Sequence, residues 1–350
     1  MPSAAIYDCE GPLPTADEIA FFKEADPLGF ILFADHCETP DAARAHTDAL
    51  KEALGRDDLL FLIDQEGGRV ARMKPPAFPS HPPAARFGEL WRLDPKRAMR
   101  AAHLNAQLLG RMVRMAGINV NCVPMLDIPQ IDTDPTVIGD RALAGHPDIV
   151  GELGRAVHDG TIAGGALPVV KHLPGHGRSL CDSHEALPRV DDRLEDLEAT
   201  DFPPFIALKS ALMGMTAHII YKALDPDMPA TVSKTVINET IRARIGFEGL
   251  LFSDDLRMGA LAETGLQTLG ARAEASLKAG CDVALCCNFT MAEKVEAAER
   301  IGALEGTSKA RSDEVIAALS DLTDPAVEMP EDTDALYQEL QTMLKPVLIS

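Results

Sequence analysis

Positive charge is what this chain most lacks: 33 Lys and Arg stand against 54 Asp and Glu, a formal net charge of −21. Nucleic acids and anionic membrane surfaces need a basic face to meet their phosphates, so neither is expected as a partner. No apolar run approaches the ~20 residues of a membrane-spanning helix, and residues Met1 to Pro14 show no basic start followed by an apolar stretch. A cytoplasmic location is expected. The seven Cys (Cys9, Cys37, Cys122, Cys181, Cys281, Cys286 and Cys287) are odd in number and never spaced C-x-x-C. That points away from a disulfide framework or a zinc ribbon and toward a reducing compartment. A Gly-rich phosphate turn is also missing after the first apolar run, where Cys9-Glu10-Gly11-Pro12 stands instead, so a dinucleotide-binding sheet is disfavoured.

What is present is the composition of a soluble globular protein, 46% hydrophobic and 25% charged, with no internal repeat or linker-like break across 350 residues. Eight short apolar runs recur: Ala4 to Tyr7, Gly29 to Phe33, Leu59 to Ile63, Ile118 to Val123, Leu167 to Val170, Gly214 to Ala217, Gly249 to Phe252 and Asp282 to Cys286. Helical periods with caps lie between them, over Thr15 to Lys23, Pro40 to Leu54, Pro95 to Met115, Pro147 to Ala163, Ser233 to Ile245, Thr268 to Ala279 and Met291 to Leu304. Regular strand and helix alternation means a parallel sheet, and eight units predict an α/β fold of the (β/α)₈ TIM-barrel type. The barrel is expected over residues 1–305, with a short C-terminal helical extension over 306–350 packed on or beside it. Two helices are predicted there, at Asp313 to Leu319 and Thr333 to Leu344, and no chemistry is visible in them.

Polar residues fall at the ends of the predicted strands: Asp64, Lys171 with His172, His218, Asp254 and Asn288. In a barrel these ends converge on one rim, where catalytic groups belong. The densest stretch runs from Lys171 to His184, with a Lys, three His and an Asp behind an apolar run and a backbone turned by Pro174, Gly175 and Gly177. Asp64 is followed by Gly67-Gly68 and then by Arg69 and Arg72, a carboxylate and guanidinium pairing suited to vicinal sugar hydroxyls; Arg141 lies in a long loop within reach of the same rim. Strand alternation turns Asp254 inward and leaves Asp255 to cap or brace. A fixed carboxylate at that place suits the nucleophile of a retaining glycosidase, and His184, with Asp182 two residues before it, suits the proton donor.

Lys171-His172-x-Pro174-Gly175-His176-Gly177, then Asp182-Ser183-His184-x-x-Leu187-Pro188, together with Asp64-Gln65-Glu66-Gly67-Gly68-Arg69 and Ser253-Asp254-Asp255-Leu256-x-Met258, resemble the bacterial β-N-acetylhexosaminidases of glycoside hydrolase family 3. The resemblance spans nearly residues 1–305. It implies a barrel in which Asp254 is the covalent nucleophile and His184, oriented by Asp182, is the acid/base. It places Asp64, Arg72, Arg141, Lys171 and His172 on positions that bind the N-acetylglucosamine ring, with His176 shaping the loop. The implied substrate is a GlcNAc-containing muropeptide or disaccharide, GlcNAc-1,6-anhydro-MurNAc and its peptides, cleaved during cell-wall recycling by a monomer or homodimer without cofactor or metal. One departure is Ala142-Leu143-Ala144, where relatives usually carry an aromatic residue soon after the Arg corresponding to Arg141.

Three rival readings remain. A metal-dependent hydrolase would use His172, His176, Asp182 and His184, but His172-x-x-x-His176 crosses a Pro-Gly turn and not the helix of an i, i+4 zinc site. A Schiff-base aldolase would use Lys171. A catalytically inactive sugar-binding protein is the non-enzyme alternative, against which the intact Asp254, Asp182 and His184 weigh.

Overall fold

The short apolar runs become strands because they are bounded by Gly, Pro and polar residues and are buried on both faces. In the computed structural model, which describes residues 1–130, 133, 135–181, 183, 186–323 and 332–348, Ser3–Tyr7, Pro27–Leu32, Leu60–Ile63, Val120–Asn121 and Leu167–Pro168 lie side by side in chain order. Ala284–Cys286 flanks the first of them, completing a six-stranded parallel sheet. A second, three-stranded parallel sheet holds Val170–Leu173, Met213–Thr216 and Leu250–Phe252.

Two seams join these sheets into a ring. Met125 bridges Lys171 in parallel, with Leu126 N–H donating to the Lys171 carbonyl at 2.7 Å. Phe252 bridges Val283 in the same sense, with Ser253 N–H donating to the Val283 carbonyl at 2.9 Å. Leu167–Pro168 and Val170–Leu173 are successive pieces of one fifth strand interrupted at Val169. Strands therefore follow one another around the ring in sequence order, which is the (β/α)₈ barrel.

The helices begin where their caps lie. Thr15, Thr39, Asp94, Thr268 and Thr290 each accept a backbone N–H of the first turn, and Pro40, Pro95 and Pro147 occupy first-turn positions where no N–H is needed. Pro95–Met115 and Pro147–Ala163 match the predicted spans, and the two pack on each other outside the barrel. Three expectations change. The helix predicted over Met291 to Leu304 stops as Met291–Ala298, because Gly302 and Ala303 turn back to bond the first strand: Ala4 N–H donates to Gly302 O at 3.0 Å. The Ser233 to Ile245 segment is helical over Val236–Arg244 with π-type hydrogen bonding. Lys171 and His172, expected after the fifth strand, lie on it. Ala85–Trp91, Leu194–Thr200 and Phe202–Ala207 are too short to show a period in the sequence.

Both C-terminal helices run longer than predicted. Gly306–Thr323 buries Val315 and Leu319 against the barrel, and Thr333–Leu348 buries Leu336, Leu340, Leu344 and Val347 in one cluster with Phe87, Leu90, Ala98, Ala101 and Leu104. Among the described residues, no helix is long and apolar enough to cross a membrane.

Candidate active site

The third strand ends on Asp64-Gln65-Glu66, and alternation sends the two acids to one side and Gln65 to the other. Gln65 turns away and staples the loop: its amide oxygen accepts Arg72 N–H at 2.8 Å and Met73 N–H at 2.9 Å. The two acids then meet Lys171 across the barrel mouth, whose Nζ lies 2.8 Å from Asp64 Oδ1 and 2.8 Å from Glu66 Oε1. Arg72 Nη2 donates to Asp64 Oδ2 at 3.0 Å while its guanidinium lies over the Phe33 ring. Arg141 grips Glu66 in a fork, Nε to Oε2 at 2.9 Å and Nη2 to Oε1 at 2.8 Å.

Burial pushes both carboxyls up, but the opposing charges win. Lys171 and then Arg72 hold Asp64 well below the ordinary carboxylate range, and Lys171 and then Arg141 bring Glu66 down to about 2. Burial lowers Lys171, yet Asp64 and Glu66 raise its ammonium above the ordinary value. An amine so held stays protonated, which removes the nucleophile that a Schiff-base aldolase needs.

The signs set a pH window. Asp64 and Glu66 are depressed, so their contribution is present above the unfolded carboxylate values near ~4 and is lost as pH falls through the folded values, about 2 for Glu66. Lys171 is raised, so its share is present below its unfolded value and is lost as pH rises through the higher folded one. Lys171→Met is expected to cost about 3 kcal/mol at pH 7 in urea denaturation, the range for breaking a buried ion pair. The gap to the wild type should close as the pH is lowered from ~4 toward 2. A gap independent of pH would show that the lost contact is packing and not charge.

The fifth strand and the loop behind it supply the next wall. His172 Nδ1 lies 2.7 Å from Asp127 Oδ2, and Asp127 Oδ1 accepts His176 N–H at 2.6 Å, so one fully buried carboxylate fixes the ring and the following turn together. Burial pushes Asp127 up, but His172 and then His176 lower it overall. His176 Nε2 meets Ser183 Oγ at 3.1 Å, and burial lowers the His176 imidazole to about 4. Arg178 ties the loop outward, donating to Asp201 Oδ2 at 2.7 Å, Asp192 Oδ1 at 2.5 Å and Thr200 Oγ1 at 2.5 Å.

Asp254 ends the seventh strand, half-buried at the cavity, with its Oδ1 accepting Asp255 N–H at 2.8 Å. Burial raises its carboxyl, but His172, then His218, the Asp255 N–H and Lys171 outweigh burial and hold it below the ordinary value. The group is ionised at neutral pH, as attack on an electrophilic carbon requires. Asp255 braces the turn: its Oδ1 accepts Arg257 N–H at 2.8 Å, and its carbonyl meets His218 Nε2 at 2.8 Å.

These groups surround a cavity of about 260 Å³ at the carboxyl end of the strands, with Ile31, Phe33, Met215 and Leu285 as an apolar wall. The structure brings together Asp64, Arg72, Arg141, Lys171, His172 and Asp254 from the sequence expectations, with His176 beside them. Asp182 and His184 lie outside the described residues; Ser183 between them lines the cavity. His218 stands behind Asp255, and Asn288 faces a neighbouring cleft with Asp8 and Asp35, so the five strand-end stations do not all reach one cavity. Sequence reasoning gave no role to Glu66, Asp127 or Ser183. Glu66 carried a signal, standing two residues after Asp64 on the same face of an extended segment; Asp127 lies well past the end of its strand and carried none.

Comparisons with known proteins show the family. The family described as glycosyl hydrolase family 3 N terminal domain matches residues 20–318. A β-hexosaminidase of Alkalilimnicola ehrlichii is 41% identical over 281 residues, covering 80% of this chain and 79% of that protein. One from Methylobacillus flagellatus is 36% identical, covering 81% and 80%. The crystal structure of NagZ from Neisseria gonorrhoeae in complex with N-trifluoroacetyl-D-glucosamine superposes with a TM-score of 0.84 at 27% identity, over 98% of each chain. The chain belongs to glycoside hydrolase family 3, among the bacterial members known as β-hexosaminidases.

Proposed function

We propose that the protein is a retaining, exo-acting β-N-acetylglucosaminidase that removes terminal GlcNAc from peptidoglycan fragments, GlcNAc-1,6-anhydro-MurNAc and its peptides, in the cytoplasm. The observation that carries this is the ionised Asp254 at a small cavity whose opposite wall is a grid of paired charges, Asp64, Glu66, Lys171, Arg72 and Arg141. Sugar hydroxyls are donors and acceptors at once, and such a grid serves both. At about 260 Å³ the cavity is smaller than the ~300–1,000 Å³ of drug-sized sites. One ring fills it, and that favours release of a single terminal sugar with the aglycone outside.

In the reaction, an Asp254 oxygen attacks the anomeric carbon while His184 protonates the departing glycosidic oxygen. A glycosyl ester of Asp254 results. His184, now basic and oriented by Asp182, takes a proton from water, whose oxygen displaces Asp254, and two inversions leave the configuration retained. Asp64, Arg72, Arg141, Lys171 and His172 hold the ring.

Release of p-nitrophenol from the β-N-acetylglucosaminide is expected to exceed that from the β-glucoside by on the order of 10²-fold or more, because a site built around a polar substituent rejects its absence. Equal rates, or no turnover of either, would overturn the reading.

A further inference from the structure

We propose that Tyr337, on the C-terminal helix, is a positioning residue for the sugar grip, acting through His81 and the Gly67-Gly68 turn. The inference rests on the reading that Asp64, Lys171 and Arg141 hold the sugar, the last two being aligned by Glu66. The turn directly follows Glu66 and is closed by Glu66 N–H and Gly67 N–H, which both donate to Val70 O, at 3.0 and 3.2 Å. Gly67 and Gly68 have φ of +98° and +56°, a region open to Gly at no steric cost. A Cβ on Gly67 would stand 2.5 Å from Pro82 O, and one on Gly68 2.7 Å from Pro83 Cβ. The turn therefore sits flush on residues 81–83, to which Gly68 N–H also donates at the His81 carbonyl, 3.0 Å away. Any shift of His81 passes directly into the peptide that carries Glu66, and Glu66 aligns both Lys171 and Arg141.

His81 is itself held from the far end of the chain. The ring is buried, with Nδ1 at 2.8 Å from Asn105 Oδ1 and Nε2 at 2.9 Å from the Tyr337 hydroxyl. Burial lowers its pKa to about 4, so the ring is neutral, with one donor and one acceptor nitrogen. Asn105 Oδ1 accepts from Nδ1–H, which leaves Nε2 to accept the Tyr337 O–H. The helix presenting Tyr337 is anchored independently, by Leu336, Leu340 and Leu344 in the core and by Arg97 donating to Thr342 O at 2.7 Å and Arg100 paired with Glu339 at 3.1 Å. Tyr337 thus reaches His81 from a fixed element, and the hydroxyl defines where the His81 ring rests.

The test compares Tyr337→Phe, which keeps the ring packed and deletes only the hydroxyl, with Glu339→Ala, which loosens the same helix without touching His81. In Tyr337→Phe, KM for p-nitrophenyl N-acetyl-β-D-glucosaminide and the inhibition constant of free GlcNAc should rise together by roughly three- to tenfold, the effect of one lost hydrogen bond. The kcat should stay within about twofold, because the ring grip is shared by ground and transition states. Glu339→Ala should leave both constants unchanged, whatever its effect on Tm. Unchanged KM and inhibition constant in Tyr337→Phe, or an equal rise in Glu339→Ala, would overturn the inference while leaving the site reading intact. A wild-type chain that does not bind GlcNAc would overturn both.

Discussion

Asp254→Ala is expected to lower kcat by on the order of 10⁴-fold or more, the scale found when an enzyme loses its nucleophile. The carboxylate stands at a strand end on the cavity, and His172, then His218, the Asp255 N–H and Lys171 hold its carboxyl below the ordinary value against the cost of burial. No neighbour takes over: Asp255 spends its Oδ1 on Arg257 N–H and its carbonyl on His218. Asp64 and Glu66 are committed to Lys171, Arg72 and Arg141. Removing a half-buried carboxylate that accepts one local backbone bond should leave the fold intact, so circular dichroism and Tm should match the wild type. Turnover within tenfold of wild type would remove Asp254 from the mechanism.

His184→Ala is expected to spare binding and slow chemistry. General acid–base catalysis is worth about 10² to 10⁴-fold, so kcat on an unactivated disaccharide should fall by that much. Aryl glycosides with good leaving groups should lose less in the glycosylation step, because their departing oxygen needs little protonation. Asp182→Ala should be milder and carry a pH signature. A carboxylate beside an imidazole raises its pKa, so removing it should move the titration assigned to His184 toward lower pH. An unchanged pH–rate profile in Asp182→Ala, or near-normal hydrolysis of the disaccharide by His184→Ala, would mean that another group donates the proton.

The barrel was legible because local signals agree with the global fold: apolar runs recur at strand length, and Thr15, Thr39, Pro95 and Pro147 announce the helices that follow. Asp254 and Asp64 were legible because strand-end acids have one destination in a barrel. What remained hidden depends on pairs distant in sequence. Lys171 meets Asp64 across 107 positions and Tyr337 meets His81 across 256, and no periodicity reports such contacts. Asp127 was hidden for a related reason: it lies beyond the short Val120–Asn121 strand, in a loop whose path is set by the fifth strand bonding to Met125 and Leu126. Arg69 and Arg72 follow the same Gly pair but part company. Arg72 turns to Asp64, whereas Arg69 bridges outward to Asp140 and to the carbonyls of Val137 and Ile138, tying this loop to the one that carries Arg141.

Covalent capture of the sugar by Asp254 is open to trapping. A 5-fluoro N-acetylglucosamine-type inactivator, or a 2-fluoro sugar with fluorine in place of the acetamido group, slows hydrolysis of the glycosyl ester, so peptide mass mapping after incubation should find the sugar on the peptide containing Ser253-Asp254-Asp255, with fragmentation placing it on Asp254. The first-formed product of an ordinary substrate, followed by NMR, should keep the β configuration. A label on Asp255, an initially inverted product, or no adduct under any fluoro-sugar condition together with tight competitive inhibition by a thiazoline analogue would contradict the account, the last in favour of attack by the substrate's own acetamido group.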